Sequence, residues 1–274
     1  TTNVFSDLFC CECVFVCSPN STHFSYIKKL LENKNFLGKI FCEKPPVSNL
    51  ANLKKLRLLL SNGNQDVYFN FNFRRSRVSN MLKNEFDLLG HPIQVNLSLT
   101  HGLAFKSGYL NSWRSKKELH PLGVLETVGV HWIDLFINLF GRVDDYKIFN
   151  SIVSNKGTAS DTSSLLMVHE NKTTTNIFVS YASCKNFILT YQGTNGFGII
   201  DEQGGTMRYP RDCFDKRGYF TTPNIKKNIT YQQEIDYEYS LNKSVEYFLN
   251  CVKYNTTLDK KEIEASLMSN EFLL

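Results

Sequence analysis

Ile40-Phe41-Cys42-Glu43-Lys44-Pro45-Pro46 is an apolar run that ends on an acid, a base and two prolines. Proline has no amide donor and fixes its own φ, so neither a ladder nor a helix continues through Pro45-Pro46. Glu43 and Lys44 are left where a strand meets solvent or ligand. On these residues alone the pair is either a solvated strand end or part of a site, and the flanking segments decide the fold. Residues 13–17 read as a strand, 23–32 as a helix, 39–42 as a strand, 49–60 as a helix and 67–73 as a strand. Phe24, Ile27, Leu30 and Leu31 recur at helical intervals, and Leu50, Leu53, Leu56, Leu59 and Leu60 do the same behind a Ser48 cap. Such alternation makes parallel strands with right-handed crossovers. Every carboxyl end then opens on one edge, where ligands of open α/β sheets bind. Three sequences fall on that edge: Ser18-Pro19-Asn20-Ser21-Thr22-His23, Glu43-Lys44-Pro45 and Asn72-Phe73-Arg74-Arg75.

Past Arg75 the pattern changes. A helix over 77–86 leads through Gly90-His91-Pro92 into a strand over 93–100. After Trp113-Arg114 comes an apolar helix over 123–136 that stops at Gly141. Within it His131 lies four residues after Thr127 and three before Asp134, so the three share a face. A satisfied core histidine and a functional one both fit that placement. Strand-like runs follow at 146–152, 163–168, 174–181, 187–192, 198–200 and 206–209. Their short connections predict a large, open, mostly antiparallel sheet. The Gly193–Gly198 turn is glycine-rich but no helix follows it, which makes it a hairpin and not a dinucleotide loop. Residues 211–231 look irregular. Helices over 234–252 and 260–272 close the chain, the second behind an Asp259/Glu262 capping box.

The 274 residues are 42% hydrophobic and 21% charged, the profile of a globular chain. A net charge of +5 is spread over 31 basic and 26 acidic residues with no basic tract, so no nucleic-acid partner is expected. No apolar run approaches the ~20 residues of a membrane helix. Of the eight cysteines, Cys10, Cys11, Cys13 and Cys17 crowd together. No second CxxC or His pair completes four ligands, so reduced thiols in a cytoplasmic protein are expected, with no metal. The chain starts on Thr1 and its first clear element is already a buried-type strand. An amino-terminally incomplete chain is the expectation.

Four separated motifs resemble the Gfo/Idh/MocA oxidoreductases, NAD(P)-dependent enzymes acting on sugars, cyclitols and related polyols. Val14-Phe15-Val16-Cys17-Ser18-Pro19-Asn20-Ser21-Thr22-His23 is similar to that family's strand and TPNxxH loop. Cys42-Glu43-Lys44-Pro45 is similar to its EKP signature and Trp113-Arg114 to its WR pair. Gly123-Val124-Leu125 with Gly129-Val130-His131-Trp132-Ile133-Asp134 resembles its glycine-rich loop and catalytic helix, and order and spacing agree throughout.

The resemblance implies an α/β chain: a partial Rossmann (parallel βαβ) domain over 1–75, followed by an α+β domain over 76–274 that carries the open sheet, binds substrate and supports a homo-oligomer. It also implies an active site in the cleft between them. Lys44 and His131 take the family's catalytic positions, facing the hydroxyl that is oxidised. Histidine titrates near neutral pH and suits a base, while an ammonium group stabilises a developing alkoxide. Ser18, Pro19, Asn20, His23, Glu43, Lys44, Pro45 and Arg114 are the implied contacts to NAD or NADP, and a polyol or sugar is the implied partner. Two departures stand out. Thr127 occupies the place of the family's aspartate four residues before the histidine, and the first βαβ unit with its GxGxxG loop is missing from the sequence. A catalytically inactive binding or assembly protein is the alternative reading.

Overall fold

The computed structural model describes residues 5–62, 66–211 and 213–274. The chain divides into two compact units, Thr1–Arg75 together with Ser240–Leu274, and Ser76–Tyr239. In the first, β1 (Cys13–Val16), α1 (Asn20–Leu31), β2 (Lys39–Cys42), α2 (Leu50–Asn62) and β3 (Val67–Phe69) form a three-stranded sheet in the order β1-β2-β3. Both pairings are parallel, as the alternation predicts. Their register sets Phe15 beside Phe41 and Phe41 beside Tyr68. The rings meet at a tilt across the strands at 4.7 and 5.5 Å, and Phe248 of the penultimate helix (Gln233–Lys253) closes on Phe41 edge-on at 5.4 Å. Aromatic burial of this kind supplies most of the apolar area that holds a small sheet.

A polar seam completes the unit. Tyr68, Asn70, Asn72 and Arg74 alternate along the chain, and all four turn toward the carboxyl-terminal helices. Ser244 Oγ lies 2.7 Å from the Tyr68 hydroxyl and donates to Asn70 Oδ1 at 2.7 Å. Asn72 Nδ2 donates to Ser240 Oγ at 2.6 Å. Arg74 donates to the Glu262 carbonyl at 2.6 Å and to Ser266 Oγ at 2.8 Å, both in the last helix (Lys260–Glu271). Arg75 grips the Glu262 carboxylate through two bonds of 2.7 and 2.6 Å. The strand expected over 67–73 therefore stops at Phe69, and the backbone tightens into a 3₁₀ turn over Asn72–Arg75. Asn72, Arg74 and Arg75 anchor helices and are not free for a ligand. For the same reason residues 240–274 group with the first unit, although the sequence places them with the second.

The second unit opens on α3 (Arg77–Asn80), a π-helical turn over Met81–Glu85 and a 3₁₀ turn over Phe86–Leu89, in place of the single helix expected over 77–86. Then come β4 (Pro92–Thr100), α4 (Val130–Phe140), β5 (Val143–Ser151), β6 (Thr162–His169), β7 (Thr174–Ser180), β8 (Asn186–Gly193), β9 (Gly196–Asp201), β10 (Gly204–Arg208) and β11 (Ile225–Ile229). They make one eight-stranded sheet in the order β11-β10-β9-β8-β4-β7-β6-β5. It is antiparallel except where β4 inserts beside β7 in parallel, which makes the sheet mixed. The strand β11 lies inside the stretch expected to be irregular. It is an edge strand, Ile-Lys-Lys-Asn-Ile, exposed over four of its five residues, so no apolar alternation marks it. Trp132 of α4 packs on Phe187 of β8 at 5.9 Å, and Phe136, Leu97, Ile177 and Leu189 are buried. Elsewhere on the sheet Phe149, Leu166 and Ile188 remain exposed. Among the described residues no helix is long and apolar enough to cross a membrane.

Arg74→Met removes both donors of the seam while leaving the Glu262 carbonyl and Ser266 hydroxyl buried. The expected loss is about 2–4 kcal/mol in urea unfolding, and an unchanged midpoint would contradict the anchor.

Candidate functional site

The residues singled out from the sequence fall into both units. Ser18, Pro19, Asn20, His23, Glu43, Lys44 and Pro45 lie in the first; Arg114, Thr127 and His131 lie in the second.

In the first unit α1 starts directly after β1, with Pro19 extended at the N-cap and no side chain capping the helix among the described residues. The Thr22 amide turns back to the Pro19 carbonyl at 2.8 Å, and the start of the helix lies at the carboxyl edge of the sheet, where helix amides suit ribose or phosphate oxygens. Thr22 Oγ1 sits 2.7 Å from both Ser18 Oγ and the Pro19 carbonyl, which fixes the loop. His23 is buried, with Nδ1 2.8 Å from the Pro45 carbonyl and Nε2 2.8 Å from the Ser18 carbonyl. It brings the two edge loops together as a clamp. Glu43 follows β2 and receives Asn70 Nδ2 on Oε1 at 2.7 Å, so the polar seam ends on this carboxylate. Burial raises the Tyr68 phenol at the far end of that chain, the first and largest of the influences on it. Val47 is held from both sides by Asn270, through bonds of 2.7 Å to its amide and 3.1 Å to its carbonyl. Lys44 stands half-buried between these fixed points, ahead of a cis peptide to Pro45. A depression of about 470 Å³ lined by Cys10, Cys11, Gly38 and Lys39 opens at the other end of the strands and contains none of these residues. Burial raises the thiols of Cys13 and Cys17 and holds that of Cys42 well above its usual range. Among the described residues no group of three or more His, Cys, Asp or Glu side chains could hold a metal.

In the second unit the helix expected over 123–136 begins as a π turn, Leu125–Gly129, and becomes α-helical at Val130. Gly123 makes the entry, with φ +55°; a Cβ there would lie 1.9 Å from the Ser160 carbonyl oxygen. That same carbonyl accepts the Val124 amide at 2.9 Å. Thr127 Oγ1 is 3.1 Å from the Gly123 carbonyl and 2.6 Å from the hydroxyl of Tyr181. The carbonyl accepts the threonine proton, so the tyrosine donates to the threonine. Burial raises the Tyr181 phenol, while its bond to Thr127 and the Arg114 guanidinium lower it. His131 follows one turn later in α4, half-buried, and Asp134 is fully buried.

Sequence reasoning missed the side chains around Tyr181. The His101 ring packs on it at 4.9 Å, and the Tyr109 ring meets it edge-on at 6.3 Å. Burial lowers the His101 imidazole first, and the charges of Lys106 and Arg114 lower it further. Burial pushes the Tyr109 phenol up to about 12. Arg114 lies over Trp113 at 4.1 Å, Trp113 meets the His120 ring at a tilt at 4.4 Å, and His120 Nδ1 faces Glu126 Oε1 at 3.1 Å. Apart from Trp113-Arg114, which the sequence singled out, none of these contacts follows a fixed spacing, so no motif could reveal them. The only sequence signal was that Tyr181 ends an apolar strand.

These features define a chain with a three-stranded parallel α/β sheet and a mixed-sheet unit that carries a basic and hydroxylic cluster. Residues 2–71 match the model of the oxidoreductase family with an NAD-binding Rossmann fold, and residues 85–198 match that of the GFO/IDH/MocA C-terminal domain. The chain belongs to the Gfo/Idh/MocA oxidoreductases, and NAD is the cofactor of the matched domain. It is 30% identical over 152 residues to the uncharacterized oxidoreductase YhhX of Escherichia coli K12, a match covering 54% of this chain and 41% of that protein. An oxidoreductase from Agrobacterium radiobacter, solved with NAD⁺, L-tartaric acid and magnesium, shares the fold at TM-score 0.78 and 16% identity, over 98% of this chain and 78% of that one. The UDP-N-acetylglucosamine 3-dehydrogenase GnnA of Acidithiobacillus ferrooxidans does so at 0.71 and 15%, over 99% and 80%.

Gly123→Ala forces a Cβ into the Ser160 carbonyl at a positive φ. It should cost about 2–4 kcal/mol or prevent folding of this unit; a wild-type thermal unfolding curve would show that the turn is not strained by a side chain.

Proposed function

We propose that the protein oxidises a secondary alcohol of a sugar, cyclitol or sugar derivative with NAD(P)⁺. The observation that carries the reading is the retention of Glu43-Lys44-Pro45 at the carboxyl edge of the parallel sheet together with a half-buried His131 in the first turn of α4. NAD(P)⁺, when bound, would supply the acceptor for the hydride of the carbinol carbon. His131 takes the hydroxyl proton as general base. Lys44 stabilises the developing alkoxide and lowers the hydroxyl pKa. The first turn of α1 with Ser18, Pro19 and Asn20, and the fixed carboxylate of Glu43, suit the ribose side of the cofactor. His23 and Pro45 hold those loops in place, and Arg114 offers a cation. Thr127 completes a hydroxyl relay with Tyr181 where a carboxylate would carry charge.

That neutral substitute favours one second reading, a binding or assembly protein without turnover. Sugars and polyols remain the ligands in it, but no cofactor is reduced. We place the protein in the cytoplasm, on its reduced cysteines, and infer a homo-oligomer from the apolar residues Phe149, Leu166 and Ile188 left exposed on the sheet.

In assays of NAD(P)H formation across a panel of polyols, aldoses and nucleotide sugars, Lys44→Ala and His131→Ala should each lower turnover by about 10²-fold. Wild-type rates in both variants would reject the assignment, and no NAD(P)H formation with any member of the panel would favour the binding protein. Sedimentation should show a species larger than the 31.5 kDa chain; monomer alone at high concentration would remove the oligomer.

A further inference from the structure

Glu43 reaches the carboxyl edge of the parallel sheet with one oxygen already held. Its Oε1 accepts Asn70 Nδ2 at 2.7 Å, Asn70 Oδ1 accepts the Ser244 hydroxyl at 2.7 Å, and Ser244 Oγ lies 2.7 Å from the Tyr68 hydroxyl. The last member fixes the direction of every proton in this chain. A carboxylate only accepts, so Asn70 turns its NH₂ to Glu43 and its carbonyl oxygen to Ser244. The one serine proton is then committed to Asn70, and Ser244 accepts from Tyr68. Burial raises the Tyr68 phenol, so that end of the chain keeps its proton. The hydrogen bonds therefore all run one way, from Tyr68 through Ser244 and Asn70 to Glu43.

The backbone holds the same geometry. The Glu43 amide donates to the Val16 carbonyl at 3.0 Å and the Asn70 amide to the Cys42 carbonyl at 2.8 Å, which sets the ends of β1, β2 and β3 side by side. Tyr68, Asn70 and Ser244 are buried, with the Tyr68 ring against Tyr247 at 5.6 Å and Phe41 at 5.5 Å, whereas Glu43 is half-buried. Water would satisfy a carboxylate at a solvent edge without any of these groups, and polar side chains are unfavourable among aromatic rings unless each is paired. What the chain adds is orientation. A glutamate free to rotate loses rotamer freedom when it grips a ligand, while one tied through Oε1 presents its second oxygen in a fixed place. Among the described residues no other side chain donates to this carboxylate, so Oε2 is an acceptor for a donor from outside the chain.

We propose that Asn70 is a positioning residue for the cofactor: it orients Glu43 so that the second carboxylate oxygen accepts a ribose hydroxyl of NAD(P)⁺, with Ser244 and Tyr68 holding the Asn70 amide in its donating sense. This rests on the reading that puts Glu43 at the ribose, and it adds what keeps the carboxylate there. Ser244 thereby gives the penultimate helix a share in cofactor binding.

Calorimetric titration with NAD⁺ of the wild-type chain and three variants tests this. Asn70→Asp keeps the shape of the side chain and the acceptor for Ser244, but sets an oxygen against Glu43 in place of a donor. NAD⁺ should bind it about 10-fold more weakly. Combining Asn70→Asp with Glu43→Gln swaps donor and acceptor across the same contact, and the glutamine oxygen is left for the ribose. The swap should recover affinity to within about 3-fold of wild type. Ser244→Ala leaves both contacting residues in place but frees the Asn70 amide to turn, and should weaken binding by about 3-fold. Circular dichroism and urea unfolding establish which variants are folded, and a merely structural Asn70 would not be rescued by the swap. The inference is overturned if folded Asn70→Asp binds NAD⁺ as wild type does, or if the swap binds no better than Asn70→Asp alone. Should Asn70→Asp not fold, unchanged affinity in Ser244→Ala overturns it. Wild-type protein that binds no NAD⁺ rejects the placement of Glu43 at the ribose and the inference with it. The expected affinities with no NAD(P)H formed from any alcohol would keep the positioning role and reject the dehydrogenase reading alone.

Discussion

The alternation of Tyr68, Asn70, Asn72 and Arg74 is the constraint on which the first unit depends. Four polar side chains on one side of an extended segment would be expensive to bury alone. Each finds its partner on a helix more than 160 residues further along the chain, at Ser240, Ser244, Glu262 or Ser266. The seam does more than close the core, because Asn70 passes it on to Glu43. Asn270 fixes Val47 from the last helix, and His23 ties Pro45 to the Ser18 loop. The turn that presents Lys44 is thus held by residues from three parts of the sequence, each of them buried. Preorganisation of that kind is what an electrostatic role for a lysine requires, since a mobile ammonium would spend its stabilisation on becoming ordered.

The second unit reaches a similar end by different means. A π turn at a helix start places its side chains out of step with a regular helix, and such turns recur at functional positions. Here the turn is made possible by Gly123, whose backbone sits against Ser160, and it presents Thr127 to Tyr181. The resulting chain of hydroxyls transmits orientation without adding negative charge. The Arg114 guanidinium lowers the Tyr181 phenol against the effect of burial, whereas a carboxylate at position 127 would raise it.

Much of this was legible in the sequence, and the gaps have physical causes. The three parallel strands and two crossover helices follow from apolar spacing, because one face of each must be buried whatever the partner. The Glu43-Lys44-Pro45 edge was legible because two prolines leave a strand nowhere to go. What the sequence misplaced were the two last helices, whose amphipathic stripes say that a face is covered but not by which unit. Edge strand β11 escaped because an exposed strand need not alternate. Asn72, Arg74 and Arg75 looked like ligand-edge residues, since spacing cannot distinguish a cation held by Glu262 from one waiting for a phosphate. His101, Tyr109 and Tyr181 come together only through the pairing of β4 with β7, and that parallel contact is not encoded by neighbouring residues.

The division of the first unit between residues 1–75 and 240–274 also bears on how the chain is made. A ribosome working at about 5–20 residues per second would need roughly ten to thirty seconds to pass from Arg75 to the closing helices. Throughout that interval Phe41, Tyr68, Arg74 and Asn70 have left the exit tunnel without the surface that covers them. The intervening unit, contiguous in the chain, can close first. The aromatic ladder is then uncovered while the nascent chain waits, and the last helix is the event that ends the wait.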